Sequence, residues 1–392
     1  MKSPSAPPPF GYFPRPDLLR VIRSRFESNE NVALFARRRN GKTTFVLNEL
    51  QPAAEAWRWA FVYANLWEDK ERPMDVIVEA VEKEAGITPA LRVDRELSGG
   101  IAAGVGSLAG KRMLVGVEAT VLQRWKVAID ALAKRGRKTL LVIDEFQTLH
   151  HRDPEARATA ALRTAFEANN GWLRVLMTGS DRAALTEIFR RHQSPLLGQA
   201  AKVDLPPLGP AFDAHRVAGV EAATSRRPVP SVVEVGAVRI RLGNSPELLN
   251  KALSRWVSGE AGTLDDAAVL VEAELGDAGY EALFESLGDV AQQVLVVCAF
   301  ERAIYTNIPT MAANLGRPLK ATTVQSAERT LVKRELIGLT GENGLREVLD
   351  PGLAIWLQRR YRELEWKPAK PRGAPRRRAT SARAPGSGIP PE

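Results

Sequence analysis

The sequence predicts an α/β protein in which a parallel sheet, covered by helices on both faces, precedes a mostly helical second half. Three observations carry this. Short apolar runs recur at 32–36, 59–67, 139–146, 173–180 and 200–208, separated by helical-looking segments, and such alternation is the pattern of strands buried on both faces. The strand signal stops near residue 211, where helical spacing takes over through SVVEVGAVRIRL and SPELLNKALSRWV. From 280 to 362 the order then reads helix, helix, helix, the turn-rich GLTGENGLREV and a closing helix, the plan of a winged helix with LKATTVQSAERTLVKREL as its second helix-turn-helix helix and 336–349 as its wing.

In chain order, a Pro-rich start (1–12) is expected to be disordered, and DLLRVIRSRF has apolar residues at helical spacing until Asn29 to Asn31 break it. The run 32–36 reads as a strand and KTTFVLNEL as a helix. The core is expected to span 13–209, a helical lid 210–278, the winged helix 279–365 and a basic disordered tail 366–392. The stretch SGGIAAGVGSLAGKRMLVG (98–116) interrupts the alternation. It has Gly104 and Gly106 but no full G-x-G-x-x-G and no strand directly before it, so it reads as an inserted hairpin or mobile loop rather than a dinucleotide site.

Composition narrows the function classes. An apolar fraction of 44% in 392 residues is ordinary for a cored protein. No run approaches a membrane span, and MKSPSAPPPFGYFP has no apolar leader core. The single cysteine, Cys298 in VVCAF, permits no intramolecular disulfide and reads as packing, which fits a reducing, cytoplasmic setting. The net charge is +9, but seven basic residues against one acid lie from Lys367 onward. The body is therefore nearly balanced, and the tail either touches nucleic acid non-specifically or keeps the chain soluble. The four histidines, His150, His151, His192 and His215, have no cysteine near them, so a zinc site is not expected. Nor does a Ser-His-Asp order with a nucleophile elbow occur.

The chemistry sits elsewhere. Residues 36–43, ARRRNGKT, meet the pattern G-x-x-x-x-G-K-[ST] from its second glycine onward. With a strand before and a helix after, backbone N–H groups and the helix dipole converge on a phosphate. Lys42 would reach the β- and γ-phosphates and Thr43 would ligate Mg²⁺, with Arg39, Asn40, Gly41 and Thr44 lining the nucleotide. Ala36 in place of the first glycine is tolerable where the loop entry has ordinary dihedrals. About a hundred residues on, LLVIDEF is an apolar strand ending in Asp144 and Glu145. A carboxylate there can hold Mg²⁺ and the next can activate the attacking water, so the two motifs together point to ATP or GTP. Strand LRVLMTGS ends in Thr178 and Ser180, placed either to sense a γ-phosphate or to cap the helix starting near Asp181. In RLGNSPELL, Asn244, Ser245 and Pro246 either touch the base or only cap the next helix.

The set FPRPDLL, ARRRNGKTTF, VIDEFQTL, MTGSDRAAL, SPLLGQA, VDLPPL, LGNSPELL and LDPGLAIWL resembles the archaeal and bacterial ATPase family of the STAND-like branch of the AAA+ superfamily, over 13 to about 362. The resemblance implies a parallel-sheet P-loop NTPase core, a small helical lid and a C-terminal winged helix. It assigns Lys42 and Thr43 to phosphate and magnesium, Asp144 to magnesium, Glu145 to water activation, Ser180 to sensing and Arg15 to the nucleotide's neighbourhood. Two positions depart from it: Ala36 replaces a glycine, and Gln199 stands where relatives often carry the arginine that stabilises transition-state charge. Arg182, Arg190 and Arg191 are substitutes for it, or a solvated helix face.

The leading expectation is an ATP-driven switch or motor, with Mg²⁺ as cofactor and ATP-dependent self-association compatible with it. One rival is a DNA-handling ATPase of the transposition or replication-loader type, using Lys320, Gln325, Arg329, Lys333 and Arg334 with the basic tail. Against it, the same helix carries Glu328 and Glu335. The others are a defence or signalling ATPase whose winged helix docks a partner protein, and a nucleotide-binding scaffold that hardly hydrolyses.

Overall fold

The computed structural model describes residues 10–87, 120–153, 156–181, 185, 188–189, 194–275, 279–339 and 345–361. The insertion at 98–116, Arg182, Arg190, Arg191, His192, the side chains of His150 and His151, residues 1–9 and the basic tail lie outside the described residues.

The expected sheet is present, all parallel. Its strands are β1 (Asn31–Phe35), β2 (Ala60–Asn65), β3 (Thr139–Asp144), β4 (Leu173–Gly179) and β5 (Ala200–Asp204), in the spatial order β2-β3-β4-β1-β5. Register sets the ends: Asn65 pairs with Asp144, Phe35 with Gly179, and Phe35 with Asp204. The C-terminal ends of β1, β3 and β4 therefore open on one edge, where ligands of open α/β sheets bind.

Successive β1 residues go to opposite faces, as strand geometry requires. Val32 and Leu34 join a layer with Ile22 and Phe26 of α1 (Pro16–Glu27) and with Phe45 of α2 (Lys42–Phe45). Ala33 and Phe35 join the opposite layer with Ile77 of α4 (Pro73–Ala85), Ile129 of α5 (Val121–Lys134) and Phe166 of α7 (Arg157–Ala168). The helix from Lys42 runs through a π-helical stretch, Val46–Leu50, into α3 (Gln51–Ala56). Between β3 and α7 lies the short α6 (Gln147–Arg152).

Beyond β5 the described chain is helical: α8 (Pro210–Ala223), α9 (Val232–Arg241), α10 (Pro246–Ser258), α11 (Leu264–Leu275), α12 (Glu281–Glu285), α13 (Asp289–Ala299), α14 (Ile308–Asn314) and α15 (Ala321–Lys333). A two-stranded antiparallel hairpin follows, β6 (Ile337–Leu339) and β7 (Arg346–Val348), then α16 (Pro351–Arg360). Three helices, a turn and a closing helix are expected over 280–362; four helices precede the hairpin, the short α12 being the additional one, and the closing helix follows. Helix starts in this half are marked in the sequence: Ser231 and Glu234 form a capping box, and Ser245 and Asp350 cap helices that open with Pro246 and Pro351. One apolar cluster runs from Phe212 of α8 to Leu357 of α16, so residues 210–278 and 279–361 share a core. Cys298 packs inside it, and burial pushes its thiol up to about 12. No helix among the described residues is long and apolar enough to cross a membrane.

One buried ion pair fastens this half. Arg239 of α9 forks onto Asp213 of α8 at 2.7 and 3.0 Å, with both residues buried. Removing one partner strands the other charge away from water, so Asp213→Ala is expected to cost about 3–5 kcal/mol of stability. Urea denaturation checks it; a loss below about 1 kcal/mol, the scale of a surface pair, would mean that the contact carries no such load.

Candidate active site

The loop between β1 and α2 has the backbone its glycine count demands. Ala36, buried at the end of β1, is not among the residues with positive φ, and its N–H reaches Gly179 O at 3.2 Å. The glycine lost there was not needed for conformation. Left-handed geometry falls instead on Arg39 (φ 62°) and on Gly41 (φ 83°), the residue before the helix, where a side chain would be strained. The helix from Lys42 thus presents its first N–H groups and positive dipole end to the loop.

Two acids at the end of β3 meet this helix. Lys42, only 5% exposed, places Nζ 2.7 Å from Glu145 Oε1. The other carboxylate oxygen of Glu145 accepts from Ser180 Oγ at 2.9 Å and from Gln147 Nε2 at 2.5 Å. Burial alone would push the Glu145 carboxyl up, but Lys42 above all, then Gln147 and Arg38, hold it below the usual carboxylate range. Glu145 itself has φ 58°, so the chain leaves β3 in a sharp turn that aims the side chain back at the loop.

Asp144 is as fully engaged. Its Oδ2 accepts from Thr43 Oγ1 at 2.9 Å and Tyr63 OH at 2.8 Å, and its Oδ1 accepts from Thr178 Oγ1 and from the Glu145 N–H. Burial and the neighbouring Asp144 charge drive the Tyr63 hydroxyl well above its ordinary value, so it stays a donor. Thr43 hydroxyl beside Asp144 carboxylate is a hard, all-oxygen pair of the kind Mg²⁺ takes, one or two protein ligands with the rest from water and phosphate. The residues present fit that ion.

Lys42, Thr43, Asp144 and Glu145 line one cavity of about 560 Å³, together with Arg15, Arg39, Asn40, Gly41, Thr44 and Pro246. Of the expected site residues, Ser180 and Thr178 do not reach its wall, being fully buried against Glu145 and Asp144, and Asn244 and Ser245 lie off it, Asn244 accepting from Arg239 and Ser245 capping α10. Arg15 grips the loop and the chain after β5, donating to Asn40 O at 3.2 Å and Pro206 O at 2.7 Å. Asn40, on the cavity wall, has its Oδ1 buried without a hydrogen-bond partner. Elsewhere on the wall Phe13 packs edge-on against Phe212 at 5.4 Å, with Leu208 beside them and the Arg216 guanidinium 4.4 Å over the Phe212 ring.

Sequence reading missed Tyr63, Gln147, Phe212 and Asp350. Gln147 stood in DEFQ and Asp350 in LDPG, both inside quoted motifs, but nothing local says which neighbour each will meet. Gln199 proves to lie at the other end of the sheet, beside the start of β5, where it donates to Glu167 at 2.9 Å. Its identity therefore has no bearing on the charge available inside its own chain's cavity.

No protein-family model matches the chain, and no curated protein matches it in sequence. Solved structures do match in shape. A Walker-type ATPase of Pyrococcus abyssi superposes with a TM-score of 0.61 at 16% identity, covering 88% of this chain and 96% of that one. The ORC2 protein of Aeropyrum pernix, solved in ADPNP-ADP complexes, superposes with a TM-score of 0.53 at 15% identity over 91% and 96%; its ADP form gives 0.51 over 88% and 93%, again at 15% identity. The shared property is the fold.

Because Lys42 and Glu145 are both buried, Lys42→Met leaves a carboxylate without its cation. It is expected to cost about 3–5 kcal/mol at neutral pH, and adding Glu145→Gln to recover most of that, as chemical denaturation of the single and double variants reads out. The sign with pH follows from the depressed carboxyl: its contribution is full above 4.5, the ordinary glutamate value, and is lost as pH falls through the lower folded one. Parent and Lys42→Met should converge in acid.

Proposed function

We propose that this chain, which has the fold of the AAA+ P-loop ATPases, binds ATP in the cavity at the loop and hydrolyses it to change how its C-terminal half sits on the core. Residues 13–209 are then the catalytic core, 210–278 the lid and 279–365 a winged helix. The observation that carries the reading is the contact of Lys42 with Glu145, and of Thr43 with Asp144, on one cavity wall. A loop lysine and a loop threonine each meet a strand-end acid, and each pair has one member suited to phosphate or its cation and one suited to water or metal.

The adenine end fits the Phe13, Leu208 and Phe212 side of the cavity, with Pro246 at its edge, and the phosphates fit the loop. Thr43 and Asp144 would hold Mg²⁺, which when bound neutralises charge on the β- and γ-phosphate oxygens. Lys42 then has a stronger anion than Glu145 to pair with. As its ammonium turns to the phosphates, Glu145 loses the partner that holds its carboxyl down and becomes a better base. Glu145 takes a proton from water, the water oxygen bonds to the γ-phosphorus, and the bond to the β–γ bridging oxygen breaks. Ser180 and Gln147 keep Glu145 aimed throughout.

DNA handling is favoured as the process by the surface of α15. Lys320, Gln325, Arg329, Lys333 and Arg334 are exposed, while the two acids that spoke against DNA are occupied elsewhere. Glu328 pairs with Arg346 and accepts from Tyr305 OH at 2.6 Å, and Glu335 pairs with Arg38 at 2.9 Å. What the helix offers to solvent is thus more cationic than its sequence suggests.

Glu145→Gln is expected to bind Mg-ATP as the parent does while turnover falls about 10²–10⁴-fold, and Lys42→Ala to lose ATP binding, both read by calorimetry and phosphate release. Unchanged turnover in Glu145→Gln would remove it as the base. For DNA, duplex affinity of the full chain should fall steeply with salt, and Lys333→Ala with Arg334→Ala should flatten that slope by about 2; a slope that does not move places DNA elsewhere or nowhere.

A further inference from the structure

The three consecutive loop arginines are all paired, Arg37 at an exposed position and Arg38 and Arg39 part-buried. Each meets an acid from a different place in the C-terminal half: Arg37 meets Glu347 of β7 at 2.5 Å, Arg38 meets Glu335 before β6 at 2.9 Å, and Arg39 meets Asp350 before α16 at 3.2 Å. Of the three, Arg38 stands apart. Its guanidinium lies 4.8 Å over the Trp67 ring, its Nε is 3.5 Å from Ser180 Oγ, and Ser180 in turn holds Glu145. Arg39 faces the other way, toward Glu247 and Tyr280. Arg38 is therefore the loop arginine on the side of the group that activates water, which is where a γ-phosphate has to be.

Its present partner is shared. Lys70 Nζ lies 3.6 Å from the same Glu335 carboxylate and 4.3 Å over the same Trp67 ring. Two cations thus share one carboxylate, and both lie over one aromatic face. A phosphoryl group offers three oxygens and more charge in the same fork geometry that a guanidinium favours. Resting on the ATP-site reading above, we propose that Arg38 is the γ-phosphate ligand of this site, supplied by the same chain, and that Glu335 holds its place until ATP arrives. ATP then breaks a tie between the core and the C-terminal half that ADP leaves intact. By linkage, whatever weakens the tie strengthens ATP binding by the same factor.

The test is titration calorimetry of the full chain with Mg-ADPNP and Mg-ADP. Arg38→Ala should lower ADPNP affinity about tenfold or more and leave ADP within about twofold, and Glu335→Gln should raise ADPNP affinity about fivefold or more with ADP unchanged, the lower end of ordinary coupling. Retained ADP binding shows that each variant is folded. If the parent binds neither nucleotide, the ATP-site reading itself fails and this inference with it. If the parent binds both and Arg38→Ala weakens both alike, or Glu335→Gln strengthens both alike or neither, the site stands and the γ-phosphate assignment to Arg38 is overturned.

Discussion

The buried contact between Lys42 and Glu145 is the constraint around which the site is arranged. It joins the first residue of α2 to the residue just past β3, and it exists only because β4 separates β1 from β3 in the sheet and aligns their C-terminal ends. A lysine this deeply buried needs an anion. In the resting protein Glu145 supplies it, and the chain has built a second layer of donors, Ser180 and Gln147, to keep that carboxylate charged and aimed. The cost of desolvating both charges is offset by the close contact of the pair and by these further hydrogen bonds.

The fold was largely legible because its signals are local. Five apolar runs, each too short for a helix, became five strands, with edges shifted by a residue or two in four of them: the run 139–146 ends as a strand at Asp144, just before Glu145 takes a left-handed φ, and the run 200–208 loses four residues, ending at Asp204 before Pro206 and Pro207. The helical half was legible for the same reason, through Ser231, Ser245 and Asp350 as caps and Pro246 and Pro351 as first-turn residues. Its joint core was not, since periodicity marks which face of a helix is apolar but not which partner covers it.

At the site, residues carried by a motif could be placed and residues carried by the tertiary fold could not. Lys42, Thr43, Asp144 and Glu145 follow from spacing alone. Tyr63 lies on a strand whose place beside β3 is a fact of topology, and it reads in the sequence as one more aromatic strand residue. Gln199 is the converse: a motif position that invited a role near the phosphate lies at the far end of β5. Ala36 shows why pattern and physics part company, because the loop's need for positive φ sits at Arg39 and Gly41 and leaves the entry residue free to carry a methyl group.

The arginine run is the feature whose meaning changed most. In sequence it marks a basic loop before a helix, and an anionic ligand is the obvious counterweight. In the folded chain the counterweight is already present as three acids spread over the hairpin and the start of α16. Those acids are themselves partly spoken for: Asp350 also caps α16 through the Gly352 N–H and accepts from Tyr280 OH. Asp350, which meets Arg39, thus also fixes the start of α16, and α16 packs into the one apolar cluster that runs through that half.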